Sequence, residues 1–339
     1  MLRTEELRKR IKFVDEYLMV EYKHMHPEKK RDWRTYEQRL THRVKTAIRM
    51  VEPLVDEAVQ SIVVHRERGR EPELELKQKV LLLLIKELFD RSNRNMASMI
   101  DLFSLLSGIE VSYKTVERLY SDEEVDMALH NLHILILRKK GVQNVNATGD
   151  GTGYSLTIRK HYATVTEKKK DKTKEASTAG DKKKDGKSVR AFVYSFKILD
   201  LRTWLYVGFG MSMKSEKQAH DRAREMLKES DIKLDDMRLD KYYSSPTLVD
   251  SYGETIVYIL PKTNASVRGS LKWKKTMEAY VEQTLEYLEQ YYKREHSESA
   301  FSQDKRWLGW KVEQRRDDRI EAALTCANLW HNMLNFEKT

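Results

Sequence analysis

Gly141-Val-Gln-Asn-Val-Asn-Ala-Thr-Gly149-Asp150-Gly151-Thr152-Gly153-Tyr154-Ser155-Leu156 is the stretch in which the chain changes its period. Ahead of it, apolar residues recur at helical spacing and glycine is scarce. Leu2, Leu7, Ile11, Val14 and Leu18 form one stripe, and Val51, Leu54, Val55, Ala58, Ile62 and Val63 form another. Pro53 is expected at the start of that second helix, where its missing N–H matters least. Residues 77–89 are strongly apolar and predict the core helix of this part. Beyond 141, glycine and β-branched residues enter and the period falls toward two. Strands are expected at 142–148, 155–164, 189–199, 204–212, 232–239 and 255–260, with a helix at 214–229. A long helix is expected from about 274 to 304, and a last amphipathic one at 318–336 carrying Ile320, Ala323, Leu324, Ala327 and Trp330. The order predicts a mixed α/β fold: a helical N-terminal region, 1–140, then a sheet with helices packed on it, 141–339.

The 339 residues suffice for two or three domains without a disulfide or metal staple. The single cysteine, Cys326, excludes a disulfide framework and a multi-Cys zinc site, and packing explains it. His130 and His133 lack further ligands nearby, so zinc is not expected there either. The N-terminus has no apolar signal region, and the longest aliphatic run, Val80 to Ile85, lies between Lys79 and Lys86. That run is far short of the roughly 20 residues a membrane span needs, so a soluble, intracellular protein is expected. Lys and Arg number 63 against 53 Asp and Glu, a net charge of +10 that favours polyanionic partners. Half of that excess is local to residues 168–188, which hold nine Lys and four acids. With no aromatic residue and no aliphatic larger than Ala, 167–188 reads as a solvated, flexible hairpin loop.

Three constellations could carry chemistry. Asp150 sits between glycines near an expected strand end, where a backbone, metal or phosphate could approach closely. The bland explanation is an Asp-Gly turn, and the spacing matches neither a dinucleotide nor a P-loop fingerprint. Asp240 closes the expected strand 232–239, at the carboxyl end where open α/β sheets bind ligands. The bland explanation there is an N-cap for a helix from Ser244. Tyr291, Arg294, Glu298 and Lys305 fall within about 60° of one face of the expected long helix. They lie beside the apolar stripe Val281, Leu285, Leu288 and Tyr292. Such a row could grip a phosphodiester strand: Arg294 and Lys305 on phosphates, Tyr291 on a base, Glu298 on a metal. A solvated face with intrahelical salt bridges is the alternative. Taken together, three carboxylates can bind two divalent cations such as Mg²⁺. Ions about 3.5–4 Å apart suit phosphodiester hydrolysis and strand transfer.

In the N-terminal region, 93–121 can be a helix-turn-helix. Met96, Ile100 and Phe103 space a first helix, Ser107-Gly108 makes a turn, and Ser112 caps a second helix over 113–121. That helix would bury Val116, Leu119 and Tyr120 and offer Lys114, Glu117 and Arg118 to a groove. Two core helices joined by a Gly turn explain the same pattern.

With these residues in hand, the chain resembles the DDE transposases of bacterial and archaeal insertion sequences. Their Tyr-x2-Arg-x3-Glu-x6-Lys signature is matched by Tyr291, Arg294, Glu298 and Lys305. Asp150-Gly-Thr-Gly-Tyr-Ser155 and Leu239-Asp240-Lys-Tyr-Tyr243 are similar to the family's first and second Asp motifs. Arg319-Ile-Glu-Ala-Ala-Leu and Trp330-His-Asn are similar to its closing helix. The resemblance spans about 141–336 and implies an RNase H-like catalytic domain. It implies that Asp150, Asp240 and Glu298 are catalytic and hold two Mg²⁺ ions, with Mn²⁺ as a substitute. Arg294 and Lys305 would neutralise phosphate, and Tyr291 would position the terminal nucleotide. It implies metal-dependent cleavage at element ends and strand transfer into target DNA. Lys114 and Arg118 would bind DNA. The implied partners are double-stranded terminal repeats, target DNA and a second copy of the chain, in prokaryotic cytoplasm. The Lys-rich loop stands where the family has a short hairpin, and Trp273 is the nearest candidate for a base-stacking tryptophan. Two other functions stay open: a metal-dependent nuclease without strand transfer, and a non-catalytic DNA-binding regulator derived from a transposase.

Overall fold

The computed structural model describes residues 2–18, 24, 32–63, 74–89, 111–156 and 192–337. The first helix expected in the helix-turn-helix, the continuation of the second expected strand past 156 and the loop 167–188 lie outside these residues.

The described N-terminal region is helical, as the period predicts. Helix α1 (Thr4–Phe13) runs into a π-helical turn, Val14–Leu18, and buries Leu7, Ile11 and Val14. Helix α2 (Trp33–Val59) is capped by Asp32, which accepts from the N–H groups of Arg34 and Thr35. Pro53 lies inside α2, not at its start. The ring removes one ladder hydrogen bond, but Val51, Leu54, Val55 and Ala58 are buried on both sides of it and hold the helix through. Val63, assigned to the same stripe, lies beyond the helix and is exposed. Helix α3 (Leu76–Leu88) is the core helix expected, burying Val80, Leu82, Leu83 and Leu84. Helix α4 (Tyr113–Leu119) has the expected Ser112 cap, and α5 (Glu123–Lys139) is capped by Asp122.

Strand β1 (Asn144–Leu156) is one 13-residue strand where two were expected. The glycines at 149, 151 and 153 read as a break, yet the strand continues because β2 (Phe192–Asp200) pairs with it antiparallel all along, from Ala147↔Asp200 to Ser155↔Phe192. Strand β3 (Tyr206–Ser212) pairs antiparallel with β2. Helix α6 (Glu216–Glu229) crosses over to β4 (Lys233–Leu239), which lies parallel to β1. Helix α7 (Pro246–Ser251) leads to β5 (Ile256–Ile259), parallel to β4. The sheet order is β3-β2-β1-β4-β5, with a two-residue β6 (Lys311–Val312) against the far end of β1. This is a mixed sheet flanked by helices, the fold class the sequence predicts.

The expected long helix is three helices: α8 (Leu271–Glu282), α9 (Thr284–Tyr292) and α10 (Glu295–Trp307). Gln283 leaves helical geometry at φ −119°, ψ 46°. Side-chain hydroxyls take carbonyls at both breaks: Thr284 bonds Tyr280 O and Val281 O, and Ser297 bonds Arg294 O.

The last helix, α11 (Asp317–Asn335), joins the two regions. Ile320, Ala323 and Leu324 are buried as expected, but from Asn328 to Asn335 every residue is buried, so this half is not amphipathic. It packs against α2, α3, α5 and β3. Trp330 donates its indole N–H to Leu84 O at 2.7 Å, and the Asn332 amide brackets the backbone of Tyr206. One hydrophobic cluster therefore runs from Leu7 to Leu334. No helix among the described residues is long and apolar enough to cross a membrane.

Candidate active site

Register sets the first two acids. Gly149 of β1 is the partner of Leu239, the last residue of β4. Asp150 and Asp240 follow these partners, so neighbouring parallel strands present them side by side on one face. Asp150 is not at the end of its own strand; it lies within β1, opposite Lys197 of β2. The strand end that matters is that of β4. The flanking glycines serve the opposite face: a Cβ at Gly149 would fall 2.2 Å from Met237 Cε, and one at Gly151 2.2 Å from Glu216 Oε1. They make room for packing behind the strand and do not clear a path to the carboxylate.

Asp240 accepts from the N–H of Tyr242 at 2.7 Å and caps a 3₁₀ turn, Lys241–Tyr243. Capping was the bland reading, but the helix that follows, α7, is capped by Ser245. The break between α9 and α10 sets the rest. Tyr291 ends in α9, Arg294 is the N-cap of α10, and Glu298 and Lys305 lie along α10. The four do not line one face of one helix.

Arg294 brings the acids together. Its Nη1 donates to Asp150 Oδ2 at 2.9 Å and stands 3.7 Å from Asp240 Oδ2, and its Nη2 is 3.0 Å from Glu298 Oε1. One guanidinium thus touches three carboxylates drawn from β1, the turn after β4, and α10. Burial pushes the Asp150 carboxyl up to about 6, with Asp240 and Glu298 adding to the rise against the pull of Arg294 and the Gly151 N–H. No three Asp, Glu, His or Cys side chains among the described residues are gathered closely enough to hold a metal as they stand. The acids are arranged around the guanidinium instead. Their side chains are 17%, 37% and 58% exposed for Asp150, Asp240 and Glu298. That open surface suits a polymer lying across it better than an enclosed small molecule.

Tyr291 is only 5% exposed and packs beneath Arg294, whose guanidinium carbon is 6.0 Å from its ring centroid. Its ring is therefore not presented to a base. Burial pushes its hydroxyl up to about 12. Lys305 holds its ammonium 5.8 Å from the centroid of the Tyr154 ring. Burial, then the neighbouring Lys197, lower that ammonium's pKa.

Behind the site lies a buried cluster that sequence reasoning missed. Lys197 Nζ is 2.8 Å from Asp304 Oδ2, the Tyr206 hydroxyl donates to the same oxygen at 2.7 Å, and His331 Nδ1 is 2.5 Å from Oδ1. The Tyr206 and His331 rings stack at 3.8 Å. Burial works to raise the Asp304 carboxyl, but His331 and Lys197 more than offset it and hold it well below the ordinary carboxylate range. The signal available was a lysine between apolar neighbours, Phe196 and Ile198-Leu199, inside an expected strand.

The other expectations fall elsewhere. Lys114 and Arg118 are exposed on α4, as expected, with Val116, Leu119 and Tyr120 buried. They are not joined to the three acids, and Glu117 is engaged by Arg319 of α11. Trp273 is 2% exposed and donates its indole N–H to Ser266 O at 2.8 Å, so it is a packed residue. His133 is buried against Val207 O, and burial lowers its pKa to about 4. Cys326 is buried, as packing requires.

A probable transposase for insertion sequence element ISA1214 from Archaeoglobus fulgidus is 45% identical to this chain over 291 residues. The match covers 86% of this chain and 84% of that protein. No family model and no solved structure matches.

Proposed function

Because the chain belongs to the insertion-sequence transposases, enzymes that act on DNA, we propose that Asp150, Asp240 and Glu298 are its catalytic carboxylates. One observation carries this: a single guanidinium, Arg294, bonds or closely approaches all three. Acids far apart in sequence converge at one open place, where strand register and a helix break put them. Their sheet, three antiparallel strands followed by two parallel ones, supports the RNase H-like reading.

The donor set fits hard divalent cations. It offers only carboxylate oxygens, still partly exposed, and their mutual repulsion at Asp150 is what a cation would relieve. Asp150, Asp240 and Glu298 would hold two Mg²⁺ ions, or Mn²⁺ in their place. The chemistry such ions supply is activation of an attacking oxygen and stabilisation of the leaving one.

The chain's own residues do the rest. Arg294 and Lys305 neutralise phosphate charge at the scissile position. Tyr291, packed beneath Arg294, orients that guanidinium instead of stacking on a base. Water attacks the phosphorus at the element end, the bond to the 3′ oxygen breaks, and a 3′-hydroxyl is released. That hydroxyl attacks a target phosphodiester and displaces one strand oxygen. Residues 1–140, with Lys114 and Arg118 on α4, bind the terminal repeats, and 141–339 form the catalytic region. Two copies bring two ends together.

The test uses the purified full chain and DNA bearing the inverted repeats that flank its gene, with Mg²⁺ or Mn²⁺. Cleavage and joining are expected in wild type and absent from Asp150→Ala, Asp240→Ala and Glu298→Ala. Cleavage without joining would make it a nuclease, and binding without cleavage a regulator. Activity that persists in the variants would mean that other carboxylates do the chemistry.

A further inference from the structure

We propose that Arg294 is a tethered counter-ion that competes with metal for the three carboxylates and is handed to the substrate phosphate when metal binds. The proposal rests on the reading of Asp150, Asp240 and Glu298 as metal ligands. The geometry that carries it is the guanidinium's position. Nη1 serves Asp150 at 2.9 Å and approaches Asp240 at 3.7 Å, while Nη2 serves Glu298 at 3.0 Å. Two of its nitrogens thus lie among the acids, and among the described residues no three acidic, His or Cys side chains are gathered closely enough to hold a metal as they stand.

Several features hold the guanidinium there. Arg294 begins α10 directly after the helix break, so its side chain leaves the backbone at the place where α9 and α10 part. Ser297 ties back to its carbonyl at 2.7 Å. Tyr291 lies beneath it, and the Arg294 side chain is only 16% exposed. Three carboxylates with no cation among them would repel one another, so the guanidinium keeps the ligand set gathered without metal. A cation entering the set must displace it, and the acids it occupies are withdrawn from the population that can bind metal. The apparent metal affinity falls by that fraction. Once displaced, the fork is beside the reacting centre with its donors free, the geometry that suits bidentate contact with a phosphate. Metal and phosphate thereby favour each other: a phosphate that draws Arg294 away strengthens metal binding, and the reverse follows by linkage.

The test is calorimetric titration of Mn²⁺ into the full-length protein without DNA, beside thermal unfolding in chelator. Arg294→Gln should bind Mn²⁺ more tightly than wild type, by about 5- to 150-fold, the range of an ordinary coupling between ligands. It should also unfold at a lower temperature in chelator and gain more from Mn²⁺ than wild type does. Loss of a purely structural arginine would lower the unfolding temperature as well, but it would loosen the ligand set and weaken Mn²⁺ binding, so the direction of the affinity change decides. Arg294→Lys, a compact charge that cannot fork across three acids, should fall between the two. It decides the matter if Arg294→Gln does not fold. Mn²⁺ affinity unchanged or weaker in the arginine variants, with Glu298→Gln and Asp150→Asn weakening it, would overturn the competition. If neither acid variant weakens binding, the ligand assignment itself fails, whatever Arg294 does.

Discussion

Asp304 is buried and Asp150 half-buried, and their surroundings drive the two carboxylates in opposite directions. Asp304 has the Lys197 ammonium, the His331 imidazole and the Tyr206 hydroxyl as its partners. Removing one partner of a buried pair leaves an uncompensated charge and costs about 3–5 kcal/mol. Lys197→Met should therefore destabilise the protein by about 3 kcal/mol in denaturant unfolding, and Lys197→Met with Asp304→Leu by less than the sum of the two changes. Because the folded-state pKa of Asp304 is depressed, its contribution is present above the ordinary carboxylate range and is lost as pH falls below it. Asp150 has the reverse sign. Its folded value is raised to about 6 from 3.8, so the folded state takes up more protons between about pH 4 and 6. In chelator, stability should fall as pH rises through that window. Asp150→Asn should flatten the slope and raise the unfolding temperature at pH 7, by about 2 kcal/mol of stability. Thermal unfolding from pH 4 to 8 measures both, and a slope unchanged in Asp150→Asn would remove Asp150 as its source.

Among the elements, α11 has the largest mechanical role, and Asn332 is its fastening. β3 is an edge strand, and Asn332 supplies both a donor and an acceptor to the backbone of Tyr206, at 2.9 and 2.7 Å. Asn332→Ala leaves two buried backbone groups unpaired, each worth about 1–3 kcal/mol. A loss of at least about 2 kcal/mol is expected in chemical denaturation, against under about 0.5 kcal/mol for the exposed Lys214→Ala. How far such elements could be read beforehand follows from their signals. α3, α4, α6 and β4 were legible because an apolar period or a capping serine marked them. The break inside 271–307 was not, because no Gly or Pro marks it: the apolar spacing runs on, and the hydroxyls of Thr284 and Ser297 turn the chain only in context. β1 was divided in two because its glycines look like a turn, whereas their cause lies across the sheet, in Met237 and Glu216. The buried half of α11 was read as amphipathic because His331, Asn332 and Asn335 are polar, and only their burial reveals them as internal fasteners. The candidate site was legible only as residue types at telling spacings. What the spacing could not give was Arg294 at its centre or the ion cluster behind it.

On the scale of the whole molecule, charge and surface point to the same kind of partner. The net charge of +10 draws polyanions, yet the three acids stand on open surface. On the proposed function, basic residues elsewhere must bring DNA to a place that repels it locally. α4 offers exposed Lys114 and Arg118, and Arg319 ties it to α11, the helix that also holds the sheet. A continuous core from Leu7 to Leu334 would transmit a fixed relation between such a contact and the acids, so DNA held at α4 would be registered against the site. Each phosphate contact releases condensed counterions and adds about 0.9 to the slope of log affinity against log salt. Lys114→Ala and Arg118→Ala should each lower that slope by about 0.9 on end DNA and weaken binding most at low salt. Neither should change Mn²⁺ binding without DNA, because neither touches the acids. Fluorescence anisotropy between 50 and about 200 mM salt reads the slope. A slope equal to wild type in both variants would place the end-binding surface away from α4, and delivery to the acids would then depend on other basic residues of the chain.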